Sequence, residues 1–129
     1  MNRIVHLALK VDDLDRTTEF YKQVFGFVEV KTEKVRDHTS RHLTDGGIDI
    51  SLVKYDADTR SAESTAAGES PCIHHFGVEV EDLEQATFQV KSYGCKIISD
   101  PGVIPVKFHA PGGTVCEIVP KGRYKNPGT

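Results

Sequence analysis

The sequence predicts an α+β domain made of two copies of one unit: a strand, a helix, then a few further strands. The first observation is that "IVHLALKVDDLD" (4–15) lies over "IHHFGVEVEDLE" (73–84) at a shift of 69, with Ile4/Ile73, His6/His75, Val11/Val80, Asp13/Asp82 and Leu14/Leu83 identical. The second is that each of these segments runs into a helix-like stretch. The third is that "DGGIDISLV" (45–53) lies over "PGGTVCEIV" (111–119) at a shift of 66, which repeats a Gly-Gly turn and the strand after it.

The elements follow in order. Alternation in the first strand puts Val5, Leu7, Leu9 and Val11 on one face, under the helices, and His6, Ala8 and Lys10 on the other. Asp13 is placed to cap the helix in "DLDRTTEFYKQVFGF", and Gly26 to stop it. The strand after the first Gly-Gly turn carries Asp49, Ser51 and Val53 on one face and closes module one, 1–55. Residues 56–71, "DADTRSAESTAAGESP", are polar, small and without periodicity, and read as a flexible linker or mobile loop. In module two, 72–122, Phe76, Val78 and Val80 take the helix side, leaving His75, Gly77 and Glu79 opposite. The helix in "DLEQATFQVKSYGCK" repeats the Asp and Gly signals, the last strand sets Val115, Glu117 and Val119 on one face, and 123–129 is a tail.

Composition narrows the function. The 129 residues fit one domain with a core of its own. Sixteen basic and 19 acidic residues give a net charge of −3 without a Lys/Arg cluster, so neither nucleic acid nor an anionic membrane is expected as partner. No apolar run approaches the ~20 residues that span a bilayer, and "MNRIVHLALK" enters a strand pattern at once, so a cytoplasmic protein is expected. Cys72, Cys95 and Cys116, odd in number and without a CxxC pair, read as reduced thiols buried as small apolar residues.

If both copies build one curved sheet, His6, Ser51, His75 and Glu117 occupy equivalent inward positions. A single inward histidine is more often a packed residue than a ligand. Two related by the repeat, with a carboxylate on the same side, can bind one face of a divalent ion and leave other positions for water or substrate. His74 points away from His75 by alternation and stays outside this group.

These residues resemble the vicinal oxygen chelate superfamily, which includes glyoxalase I, extradiol dioxygenases, methylmalonyl-CoA epimerase and the fosfomycin and bleomycin resistance proteins. "HLALKVDDLDRTTEFYKQVFGF" is similar to its opening strand and helix, and "KFHAPGGTVCEIV" to its closing hairpin. The resemblance implies two βαβββ modules forming a cupped mixed sheet with helices on the outer face, in a homodimer around a metal. It places metal ligands at His6, His75 and Glu117. Residue 51 departs from the pattern: glyoxalase I has glutamate there and the epimerase glutamine, whereas serine is a poor ligand. The triad is shared with extradiol dioxygenases, so a dioxygenase-like reaction on a small substrate with neighbouring oxygens is expected first, with Fe(II) or Mn(II) ahead of zinc or nickel. The alternatives are a glyoxalase- or epimerase-like lyase or isomerase working through an enediolate, and a resistance-type protein that binds a small molecule without catalysis. His42 and His109, each flanking a Gly-Gly hairpin, are the candidate bases. Lys10, Ser51, Glu79 and Lys107 are the candidate substrate contacts.

Overall fold

Both copies start as expected, and the reason is local. The computed structural model describes residues 1–124, and in it β1 (Arg3–Lys10) leads into α1 (Leu14–Phe25). The Asp13 carboxylate accepts the Arg16 amide at 3.0 Å, and Gly26 ends the helix in the left-handed region at φ 72°. The second copy repeats this in β5 (Cys72–Val80) and α3 (Leu83–Ser92), where Asp82 accepts the Gln85 amide at 3.0 Å. The remaining strands are β2 (Val28–Val35), β3 (His38–Thr44), β4 (Asp49–Tyr55), β6 (Val106–His109) and β7 (Val115–Pro120).

The seven strands form one mixed sheet in the order β2-β3-β4-β1-β5-β7-β6. β1 runs parallel to β4, β5 runs parallel to β7, and β1 and β5 meet antiparallel at the centre. The two halves are therefore related as the repeat requires: Ala8 sits opposite Ser51, and its repeat partner Gly77 opposite Glu117. Strand alternation then sorts the side chains. Val11, Leu43 and Leu52 pack with Leu9, Leu14, Tyr21 and Phe27 beneath α1. Val80, Phe108, Cys116 and Ile118 pack with Phe76, Leu83, Ala86 and Val90 beneath α3. The opposite face is left for polar groups.

The second copy lacks a full counterpart of β2. Ile97, the repeat partner of Val28, makes one isolated bridge to Phe108 before the chain turns at Asp100. Pro101 and Pro105 remove two backbone donors from this stretch, so the ladder cannot extend.

Residues 56–71 differ from the expected structureless linker by holding α2 (Ala62–Ala67), capped by Ser61. No α2 residue is buried, which is why no apolar period marked it. Polar contacts fix the segment instead: Thr59 donates to Asp37, and His74 Nε2 donates to the Glu63 carbonyl at 3.0 Å. Burial would raise the Asp37 carboxyl, and hydrogen bonds from Ser61, Thr59 and His38 hold it well below the usual range. Of the cysteines, Cys116 is buried as expected, whereas Cys72 at the end of β5 is exposed. None of the described helices is long and apolar enough to cross a membrane.

Candidate metal centre

The polar face of the sheet surrounds a cavity of about 250 Å³, and His6, His75 and Glu117 meet on its floor. All three are nearly closed to solvent, Glu117 at 1% exposure. His6 Nε2 and His75 Nε2 are 3.3 Å apart, and Glu117 Oε1 lies 2.7 Å from His75 Nε2 and 3.9 Å from His6 Nε2. Gly77 makes this approach possible. A methyl group on it would come within 3.1 Å of Glu117 Cγ, Glu117 Oε2 and His6 Cβ.

Each ligand candidate is held from behind. Asp49 Oδ2 accepts from His6 Nδ1 at 2.6 Å, and His74 Nδ1 accepts from His75 Nδ1 at 2.6 Å. Tyr124 donates to Glu117 Oε2 at 2.7 Å while its ring stacks on His6 at 4.3 Å. The hydrogen-bond network thus places both imidazole protons on Nδ1, which turns two Nε2 lone pairs and one carboxylate oxygen toward a common point. Bare lone pairs at these spacings repel, and a cation among them removes the repulsion. Donors bound to one ion at about 2.1 Å stand roughly 3–3.4 Å apart; the three separations here, 2.7, 3.3 and 3.9 Å, straddle that range, so small side-chain shifts would bring the set onto a divalent ion.

The electrostatics agree. Burial drives His75 toward its neutral form, the form that can ligate. Burial would also raise Glu117, but its close neighbours His75 and His6 and the ammonium of Lys107 hold its carboxyl far below the ordinary range. Asp49 is depressed too, because hydrogen bonds from His42 and His6 outweigh its burial. Two other groups of possible ligands, Glu63/His74/His75 and Asp37/His38/Glu63, have their atoms engaged with protein partners.

The other candidates separate clearly. His42 and Ser51 line the cavity as neighbours across β3 and β4, and Lys107 lines it beside Glu117 across β6 and β7. Three more lie away from it: Lys10 donates to the Gly68 carbonyl, Glu79 pairs with Arg3 at 3.6 Å, and His109 Nδ1 contacts the Gly113 carbonyl at 3.1 Å. Sequence reasoning missed Asp49, His74, Tyr124 and Glu63. For Asp49 a signal existed, since it alternates in step with Ser51. Alternation points His74 away from the triad, yet its ring turns back to support His75.

A sequence model described as the Glyoxalase/Bleomycin resistance protein/Dioxygenase superfamily matches residues 3–109. The chain belongs to this superfamily. Among curated superfamily relatives, a lactoylglutathione lyase of Arabidopsis thaliana is 26% identical over 91% of this chain and 40% of its own length. A probable chloroplastic lactoylglutathione lyase of the same plant is also 26% identical, over 97% of this chain and 37% of its own. The chain thus spans less than half the length of these relatives. Among solved structures the fold recurs: methylmalonyl-CoA epimerase from Mycobacterium tuberculosis matches with a TM-score of 0.75 at 20% identity, covering 91% of this chain and 86% of that one. A hypothetical protein from Bacillus halodurans C-125 matches at 0.80 and 18% identity, covering 97% and 98%.

Proposed function

We propose that this chain holds a divalent ion at His6, His75 and Glu117 and catalyses a lyase- or isomerase-type proton transfer on a small molecule with neighbouring oxygens. The observation that carries the reaction class is the double use of Asp49. Besides His6, this carboxylate accepts from His42 Nδ1, at 2.9 and 3.0 Å to its two oxygens. His42 is thereby fixed with its Nε2 lone pair available on the cavity wall, next to the triad. A buried carboxylate that orients an imidazole is what a general base needs.

The ion would supply Lewis-acid polarisation of the substrate oxygens, lowering the pKa of the adjacent carbon-bound proton. His42 Nε2 takes that proton and then returns one to the substrate's carbon skeleton, which completes the isomerisation. Glu33, half exposed and 3.5 Å from His42 Nε2, offers a route onward to solvent. Ser51 is too short to fill a coordination position, so the substrate's oxygens meet three protein ligands rather than four. The Asp49-backed imidazole, rather than the ligand count, supports the lyase or isomerase reading over the oxygenase one, and the curated relatives, lyases by name, lean the same way.

The test is solvent exchange. Protein loaded anaerobically with iron, manganese, nickel and zinc in competition is analysed for bound ion. It is then incubated in D2O with α-hydroxycarbonyl hemithioacetals and 2-substituted acyl thioesters. Deuterium should enter at the carbon beside the carbonyl, with dioxygen making no difference, and both His6→Ala and His42→Gln should abolish it. Turnover that consumes dioxygen would return the oxygenase reading to the front, and an absence of bound ion would remove the proposal.

A further inference from the structure

The cavity differs in charge from the rest of the chain. The protein carries a net charge of −3, yet the cavity wall presents Lys31, Arg36, Lys107 and Arg123 against Glu33, Glu63 and Glu117. A divalent ion would make the balance more positive still. Such a chamber favours an anionic guest.

Where that guest's charge would sit is shown by Glu63. Lys107 is only 7% exposed, and its ammonium lies 3.6 Å from Glu117 Oε1 and 3.3 Å from Glu63 Oε1. Arg36 Nη2 approaches the other Glu63 oxygen, Oε2, at 3.4 Å. The Glu63 carboxylate therefore lies between two cations with one oxygen toward each, as a bound carboxylate would. Its carrier is α2, a six-residue helix with no buried residue. Nothing apolar resists the withdrawal of this side chain. If an ion takes Glu117 as ligand, Lys107 relies all the more on Glu63.

We infer that Lys107 and Arg36 form an anion subsite beside the triad, that Glu63 is its resident carboxylate, and that the substrate carries a carboxylate which displaces it. This rests on the reading above for the position of the substrate. It restricts the substrate class to short acids whose carboxylate lies a few bonds from the chelating oxygens.

The experiment titrates propionate, a carboxylate with no second oxygen function for chelation, into the zinc-loaded full chain, followed by NMR, with propionamide as the neutral control. Removing the resident with Glu63→Ala should tighten propionate binding by at least tenfold and leave propionamide unchanged. Adding Lys107→Met should erase the gain. Should Lys107→Met fail to fold, Arg36→Gln, at a half-exposed side chain, should cut the gain at least threefold. Equal affinity in wild type and Glu63→Ala would overturn the inference, as would a gain that survives Lys107→Met or, where that variant does not fold, Arg36→Gln. Because no catalysis is needed, such a failure would leave the proton-transfer proposal standing, and failure of deuterium exchange would leave this one.

Discussion

The two modules put different chemistry on one frame. In module one, Ser51 has His42 beside it; in module two, the repeat-related Glu117 has Lys107. The second module therefore offers an anionic ligand and a cation, and the first a hydroxyl and an imidazole backed by Asp49. The repeat gives both halves equivalent inward positions, and the residues that stand there differ: in the proposed reading both modules supply a histidine ligand, module two adds the carboxylate, and module one adds the base.

The largest break in this comparison should come from Glu117→Ala. Losing a proposed ligand should cost more than the roughly 100-fold in ion affinity that loss of a supporting partner typically costs. The Ser51→Ala change at the equivalent position should leave affinity nearly unaltered. Competition with a chromophoric chelator measures both. Next comes Gly77→Ala, where the added methyl would push Glu117 off its position. We expect a loss of about 10–100-fold in ion affinity and about 1–3 kcal/mol in stability, read by the same competition and by urea unfolding. The equivalent residue in module one is already Ala8, fully buried, facing the shorter Ser51.

Ser51→Glu makes the modules alike. A fourth ligand should tighten ion binding by roughly tenfold through added ligand charge while slowing proton transfer by crowding His42, a split visible in calorimetry against exchange rates. The smallest effects concern the caps. Asp13→Ala and Asp82→Ala each remove one equivalent hydrogen bond to a first-turn amide, at 3.0 Å in both modules. Each should cost about 1 kcal/mol by urea unfolding, and by similar amounts.

How much of this could be read from the sequence follows the same division. The repeat, the caps and the alternation of β1, β5 and β7 are local, period-two or one-turn features, so His6, His75 and Glu117 could be named with their common face. The missing strand at Ile97 depends on two prolines acting on a ladder that the repeat alone does not reveal. α2 has no apolar stripe to announce it. Tyr124 reaches Glu117 after the last strand has ended, and only tertiary structure brings it back. Asp49 was readable as a neighbour of the site, but its role as a bridge between two imidazoles required their distances.

One arrangement reaches beyond catalysis. β1 carries His6, β5 carries His75, and these strands form the joint between two halves that each enclose an apolar cluster of their own. An ion at the triad would act as a clasp across that joint. At a free ion concentration about 100 times Kd, it would add about 2.7 kcal/mol to stability. Chelation should then loosen the joint first, with amide exchange in Arg3–Lys10 and Cys72–Val80 speeding up ahead of exchange in the two long helices. The supply of metal would govern whether the halves melt as one body or as two.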